Sequence, residues 1–401
     1  MIRSKAGLLV SVVTVLLLIC DNVLSHSFNL PWIKFFAAYL FIFMLARYVI
    51  KFRTNISFEW IWLICFIATL AVTSYYNLTW KPFIFGLLAV LSYKYIDWLP
   101  VINKIQVVDM LSTVLLVTLC LGCLALFFKS LGFPSLNDFN HLKLYPLGYL
   151  YGAEHRSFPR LSGFFLEPGQ LSFYICAVVA CRHYLQMPKQ TTAALLFLGL
   201  LTQSLAHLFF VAAYLFVANI HSVSTNKFLS KKFNLFAFVV AFLIMAGNSW
   251  LWARLNVILQ LDAESWQRLN SFLYALNLFD GGLNDILFGP SKELSARIIG
   301  EAHLFRSDLP GASLYGENPL TPVVFGGLLA SWPYYWAIIY PIIASLRYGS
   351  NSWVLVLFMF LTLQRPYTLE FPYTFIIALV FSCYFLSNRT PKSKSVHEDR
   401  V

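Results

Sequence analysis

The sequence predicts an all-α polytopic integral membrane protein with about twelve transmembrane helices and two larger segments on its outer face. Three observations carry this. Apolar residues make up 59% of the 401 residues and charged ones 12%, against roughly 25% charged in soluble domains. The mean hydropathy is +0.69. Lys and Arg are also distributed unevenly between successive connections, as oriented helices require. So few charges cannot clothe a water-soluble surface, so a soluble globular protein, a disordered chain and a coiled coil are excluded. An outer-membrane barrel would alternate apolar and polar residues along its strands, and this chain does not.

A bilayer core of ~30 Å takes ~20 apolar helical residues. Spans read at 6–24, 31–50, 58–77, 82–99, 110–128, 163–182, 191–204, 206–222, 233–251, 319–346, 352–364 and 371–388. The first is read as a span rather than a signal peptide, because no A-x-A-like cleavage site follows it. The spans 191–204 and 206–222 are short. They form either a tight hairpin or one long broken helix, and the second arrangement would invert everything after them. Residues 1–388 are read as a single transmembrane domain, and 389–401 as a polar, disordered cytoplasmic tail. No internal repeat is visible. No matching pair of Gly/Pro-interrupted helices is visible either, which weighs against a transporter built from inverted repeats.

The net charge is +11, from 29 Lys and Arg against 18 Asp and Glu. In a soluble protein that excess would suggest nucleic acid; here it orients helices. With the N-terminus in the cytoplasm, 17 of the 29 cations fall at cytoplasmic ends, among them Lys104, Arg182, Lys189 and Arg389. Only Lys34, Lys81 and Arg365 fall on short external loops. The other nine lie in the longer external segments, 129–162 and 252–318: Lys129, Lys143, Arg156, Arg160, Arg254, Arg268, Lys292, Arg297 and Arg306. Long loops escape the positive-inside rule, so these cations are free to serve function. The plainer reading of any one of them is solvation or pairing with lipid headgroups. The seven cysteines lie in or beside apolar runs. Cys120 and Cys123 have CxxC spacing but sit mid-helix with no second pair, so neither a metal nor a disulfide is expected.

The first external segment closes with Glu154, His155, Arg156, Arg160 and Glu167 just ahead of an apolar run. Arg156 and Arg160, four apart, would share a face if helical. Guanidinium forks suit diphosphate oxygens. A carboxylate four residues inside a drawn span is expensive unless paired or facing a polar cavity. Pro168, which suits the first turn of a helix, would place Glu167 at the helix mouth. It is either a structural partner of an arginine or a carboxylate beside an anionic substrate. The second segment holds Arg254, Arg268, His303, Glu317 and Asn318. Residues 265–279 have the apolar spacing of an interfacial amphipathic helix with Arg268 on its wet side. Gly281-Gly282 and Gly289-Pro290 break that pattern. His303 reads either as a hydrogen-bonding residue or as a base. Gly326-Gly327 reads as a close helix contact.

There is no Walker A loop, GxSxG, HExxH or metal-holding Asp-x-Asp pair. The cytoplasmic connections are too short for a nucleotide-binding domain. Chemistry on the outer face then needs a lipid-borne activated substrate, and a lipid diphosphate fits the arginines.

The stretch Arg160-Leu-Ser-Gly163-Phe-Phe-Leu-Glu167-Pro168 resembles the R-x-x-G-x-F-x-E-P stretch of bacterial O-antigen and capsule polymerases of the Wzy type. Thr202-Gln203-Ser204 is similar to their T-x-S helix turn. The arginine-bearing segment around Arg268 resembles their second periplasmic loop, and Asn318 followed by Gly326-Gly327 their N…G-x-x-G segment. The resemblance is spread over residues 150–345. It implies an inner-membrane enzyme of the C-type glycosyltransferase fold, with its site facing the periplasm. Such an enzyme moves an oligosaccharide repeat unit from undecaprenyl diphosphate onto a second lipid-linked unit. On this reading Arg156, Arg160, Arg254 and Arg268 hold diphosphate and Asn318 contacts substrate. Glu167 takes the acceptor proton, with His303 and Glu317 as the less favoured bases. No metal or cofactor is required and no nucleic acid is a partner, while a chain-length regulator protein is a possible one. Related O-antigen ligases carry His ahead of the Asn, where this chain has Glu317; that departure favours polymerase. Ligase transfer to a lipid A core is the alternative, and a flippase or transporter of the lipid-linked sugar is the alternative from another class.

Overall fold

The computed structural model describes residues 96, 99–139, 142–146, 148–152, 159–165, 167–222, 282–289, 320–348, 352–364 and 371–389. The expected spans 6–24, 31–50, 58–77 and 233–251 lie outside the described residues, as does nearly all of 82–99. The chain divides into two compact units, one comprising Met1–Leu45, Ser92–Gln203 and Phe375–Val401, the other Ala46–Leu91 and Ser204–Thr374.

In the first unit, helix α1 runs Val101–Ser130. Its 30 residues make it about 45 Å long, so it exceeds a ~30 Å hydrocarbon core. Among the described residues it is the one helix long and apolar enough to cross a membrane. Its buried positions recur every three or four residues, through Lys104, Leu111, Leu115, Thr118, Gly122 and Ala125. The opposite face exposes Val117, Leu124 and Phe127. Expected span 110–128 therefore sits inside a longer helix.

An antiparallel sheet follows, in the order β1 (Asn137–Phe139), β2 (Leu142–Tyr145), β3 (Gly148–Tyr151) and β4 (Arg160–Gly163). This departs from the all-α expectation. The sheet is a meander, with Leu142 opposite Tyr151 and Tyr151 opposite Arg160. Alternation gives it two faces. Tyr145 and Leu150 pack on Ala125 of α1. Leu142 and Tyr149 form a second apolar cluster with Leu144 and Tyr151. Leu142 and Leu144 in β2 and Tyr149 and Tyr151 in β3 alternate weakly as strand residues do, whereas β1 and β4 carry no such alternation.

Helix α2 (Pro168–Tyr184) starts five residues later than the expected span at 163, because β4 and a turn take up the intervening residues. Helix α3 (Lys189–Gly199) ends in a 3-10 turn, Leu200–Thr202. At 11 residues α3 is about 16 Å long, too short to cross alone. Gln203 then adopts a left-handed conformation (φ 48°, ψ 36°), and α4 begins at Leu205. The stretch left open between hairpin and broken helix is thus two helices separated by a left-handed residue.

Polar side chains gather at the end of this unit opposite the sheet. Arg182 is 1% exposed. It donates to Ser112 Oγ (3.0 Å), Thr192 Oγ1 (3.1 Å) and the Pro188 carbonyl (2.9 Å). It also lies 3.6 Å from the Asp109 carboxylate. Lys104 Nζ donates to Ser382 Oγ (2.7 Å) of helix α8 (Phe371–Arg389). Tyr184 and Tyr384 meet edge to face with ring centroids 5.3 Å apart.

In the second unit, α4 is Leu205–Ser222. A short helix, α5 (Leu283–Phe288), opens where the Asp285 carboxylate accepts from the Gly282 N–H at 3.2 Å. It lies between the two glycine breaks read from the sequence. Helix α6 (Thr321–Tyr348) and helix α7 (Trp353–Gln364) match spans 319–346 and 352–364 within a few residues. Helix α8 matches 371–388 as closely. Tyr334 of α6 donates to the Thr362 carbonyl of α7 at 2.8 Å. At Gly327 (φ 64°, ψ 179°) α6 is not helical.

Candidate functional site

The described part of the site is the corner where β4 turns into α2. Six residues of the Arg160–Pro168 stretch, Arg160, Ser162, Gly163, Phe165, Glu167 and Pro168, have a local task there. Gly163 has φ +62°, and a Cβ on it would collide with the Thr118 side chain of α1, so glycine fits on both counts. Ser162 Oγ donates to the Phe165 carbonyl, closing the turn. Phe165 is buried, 5.5 Å centroid to centroid from Tyr174 of α2. Glu167 is the N-cap of α2, with extended backbone (φ −138°, ψ 140°) and no side-chain cap bond, and Pro168 follows in the first turn. A carboxylate at a helix N-terminus is favoured by the helix dipole. The structure therefore places Glu167 at the helix mouth, half-exposed.

Arg160 is 8% exposed. Its Nε donates to the Thr202 carbonyl at 3.0 Å, and its guanidinium carbon lies 5.7 Å from the Tyr151 ring centroid. Thr202 is the last residue of the 3-10 turn, and its own hydroxyl donates back to the Gly199 carbonyl at 2.8 Å. The left-handed Gln203 ends the helical ladder there. An end-of-helix carbonyl is thus left to accept from a cation, which is also where the helix dipole is negative. The two sequence features at Arg160 and at Thr202-Gln203-Ser204 meet through this bond. Lys129 and Lys143 add positive charge at the sheet end of the unit, close enough to repel each other.

Arg160 lies in a strand, so the shared helical face with Arg156 is not the geometry of this segment. Arg156, Arg254, Arg268, His303, Glu317 and Asn318 lie outside the described residues. The close contact expected at Gly326-Gly327 is present at Gly327. There a Cβ would collide with the Leu287 carbonyl oxygen and the Gly289 nitrogen. The same glycine also interrupts the helix, which packing alone does not require. Sequence reading did not single out Thr202 as the acceptor for Arg160, nor Tyr151 as the ring beneath it. The alternation Tyr149–Tyr151 in a short segment was the available signal for the latter. Among the described residues, no group of three or more His, Cys, Asp or Glu is placed to hold a metal ion.

In comparisons with family models, with curated proteins and with solved structures, nothing matches this chain.

Proposed function

We propose that the protein is a membrane glycosyltransferase that polymerises a surface polysaccharide of the O-antigen kind. It would transfer a repeat unit from undecaprenyl diphosphate to another lipid-linked unit at the periplasmic face of the bacterial inner membrane. The observation that carries the reading is the geometry of the Arg160–Pro168 stretch. A buried arginine is held by a backbone carbonyl and an aromatic ring, seven residues ahead of a carboxylate at a helix mouth. A cation fixed in place before substrate arrives can stabilise the charge that grows on a leaving diphosphate without reorganising. A carboxylate at the helix mouth is suited to take the proton of the attacking sugar hydroxyl.

The membrane setting draws support from α1. Lys104 and Gly122 stand about 27 Å apart along the helix, near the ~30 Å thickness of a hydrocarbon core. The polar cluster lies at one end and the sheet at the other, while the face between exposes Val117 and Leu124. Continuous exposed apolar faces are costly in water and ordinary in lipid. The ends that meet at the polar cluster are those that the charge pattern assigns to the cytoplasm.

One observation favours the transporter reading as a second possibility. Helix α6 is interrupted at Gly327, and the 189–222 stretch is interrupted at Gln203. Interrupted helices are how many transporters hold substrate. Deleting the gene in its host and running the lipopolysaccharide on a gel separates the readings. A polymerase predicts a single-repeat band in place of the ladder. A ligase predicts bare core with lipid-linked polymer accumulating. A flippase predicts bare core with single lipid-linked units retained inside. An unchanged ladder together with intact capsule and exopolysaccharide would sink the polymerase reading.

A further inference from the structure

The sheet rests on α1 along one row of paired strand residues. Leu161 of β4 stands opposite Leu150 of β3, and Leu150 opposite Lys143 of β2. Leu161 lies so close to Gly122 that a Cβ on the glycine would collide with it. Leu150 packs on Ala125. Gly122 and Ala125 lie on one stripe of α1, which continues a turn later at Lys129. The third rung therefore sets Lys143 against Lys129, where the first two rungs are apolar. Burial first, and then the neighbouring Lys143, pushes the Lys129 ammonium below its usual range. Asp138 comes next in the row, opposite Lys143 in the ladder, so the row carries two cations against one carboxylate. Arg160 lies beside Tyr151 on the other face of the sheet, so the lysine pair is no part of the site described above.

The chain leaving α1 adds an apolar border. Gly132 (φ +81°) turns it and donates its N–H to the Lys129 carbonyl at 2.9 Å. The Leu136 N–H donates to the Leu144 carbonyl at 2.7 Å. Phe128 and Phe133 meet edge to face with centroids 5.3 Å apart. The turn is thus fixed, yet Leu131, Phe133 and Leu136 are 57%, 49% and 66% exposed. In water such a cluster is costly. About 10 Å of helix separates Lys129 from Gly122, the end of the stretch matched to the hydrocarbon core. That distance puts the two lysines in the headgroup layer. Exposed apolar and aromatic side chains beside lysines are what that layer accommodates.

We propose that this corner binds an anionic phospholipid of the surrounding bilayer, with its phosphate between the Lys129 and Lys143 ammonium groups and its acyl chains along Leu131 and Phe133. Charge selects the occupant. A zwitterionic headgroup brings a cation of its own to the pair, whereas an anionic one relieves the repulsion within it. The inference rests on the membrane setting proposed above and not on glycosyl transfer.

The test uses the full chain in micelles of an uncharged detergent. Its unfolding temperature is followed during titration with phosphatidylglycerol, phosphatidylcholine or a short-chain polyprenyl diphosphate. Phosphatidylglycerol stabilises the wild type saturably, and phosphatidylcholine does so far less; that comparison needs no variant. Lys129→Gln and Lys143→Gln each weaken the phosphatidylglycerol response about fivefold, the equivalent of ~1 kcal/mol per lysine near an anionic lipid surface. The double variant Lys129→Arg, Lys143→Arg keeps the charge and keeps the response. The lipid-free unfolding temperature of each variant is the reference for its own titration, so a change in folding does not enter the comparison. Equal responses to the two phospholipids, or an unchanged response in both Gln variants, overturn the site. A response confined to the polyprenyl diphosphate also overturns it, by assigning the pair to another lipid. A chain that stays monodisperse without detergent overturns the membrane setting and the site with it. The titration needs no turnover, so a failed polymerase reading leaves its result standing.

Discussion

Arg160 illustrates how a single side chain is fixed by three neighbours of different kinds. The strand places it, the Thr202 carbonyl takes its Nε–H, and the Tyr151 ring lies 5.7 Å from its guanidinium carbon. A lysine offers a flexible point charge and no planar fork. We expect Arg160→Ala to reduce polymer formation about a hundredfold or more, the scale of losing one preplaced charge-stabilising donor. Arg160→Lys should not restore it. Both are read as ladder intensity in a strain lacking the native gene. Glu167→Gln should abolish chain growth at unchanged protein level, and full activity in that variant would remove Glu167 as the base. Gly163 is a different case, since its task is backbone. Gly163→Ala forces a left-handed alanine at roughly 1–2 kcal/mol, before the collision with Thr118 is added. The expected result is a lowered unfolding temperature. Much at this scale was legible in the sequence: the motif residues were visible as a group, and Pro168 located Glu167 at a helix start. The partner of Arg160 was not legible. It is a main-chain oxygen 42 residues away, and a carbonyl exposed by a left-handed Gln leaves no side-chain signature.

Helices α1, α2 and α3 are braced by Arg182, whose guanidinium reaches all three or the turn between them. Its partners are unequal. Asp109 is 67% exposed, so that ion pair is worth at most about 1 kcal/mol. The buried hydroxyl and carbonyl bonds carry the rest. Asp109→Asn should hardly move the unfolding transition. Ser112→Ala should move it by about 1.5–3 kcal/mol, the range for a bond to a charged group. Equal effects would show that the exposed carboxylate matters more than the burial pattern suggests. Element ends were legible where a helix signal stood alone: α7 and α8 begin and end close to the spans drawn from hydropathy. They were misplaced where apolar residues continued into another structure. The apolar run from 163 begins in a strand, because Phe and Leu serve strands and helices alike. The sheet was missed for a related reason. Its strands are three or four residues long, too short for alternation to rise above the surrounding apolar background.

The whole molecule is best tested through its sidedness. The sheet and the Arg182 cluster lie at opposite ends of one unit. A cysteine introduced at Pro146, at the sheet end, should therefore react with a membrane-impermeant thiol reagent in intact spheroplasts. One introduced at Gln190, beside the cluster, should react only after the membrane is opened. Matching reactivity at both would contradict the assignment of sides. The charge pattern is the ground for expecting this sidedness, since Lys and Arg report orientation independently of fold detail. The interruption of α6 was not legible in the same way: Gly326-Gly327 is equally the signature of a tight helix contact, and here it is both. The central claim is that this chain itself joins lipid-linked repeat units. The most direct measurement places the purified full chain in vesicles with lipid-linked repeat units extracted from the host and no nucleotide sugar. The account predicts products of two or more repeats with the wild type and their loss with Arg160→Ala. Repeat units that stay single, or merely cross the bilayer unchanged, would contradict it.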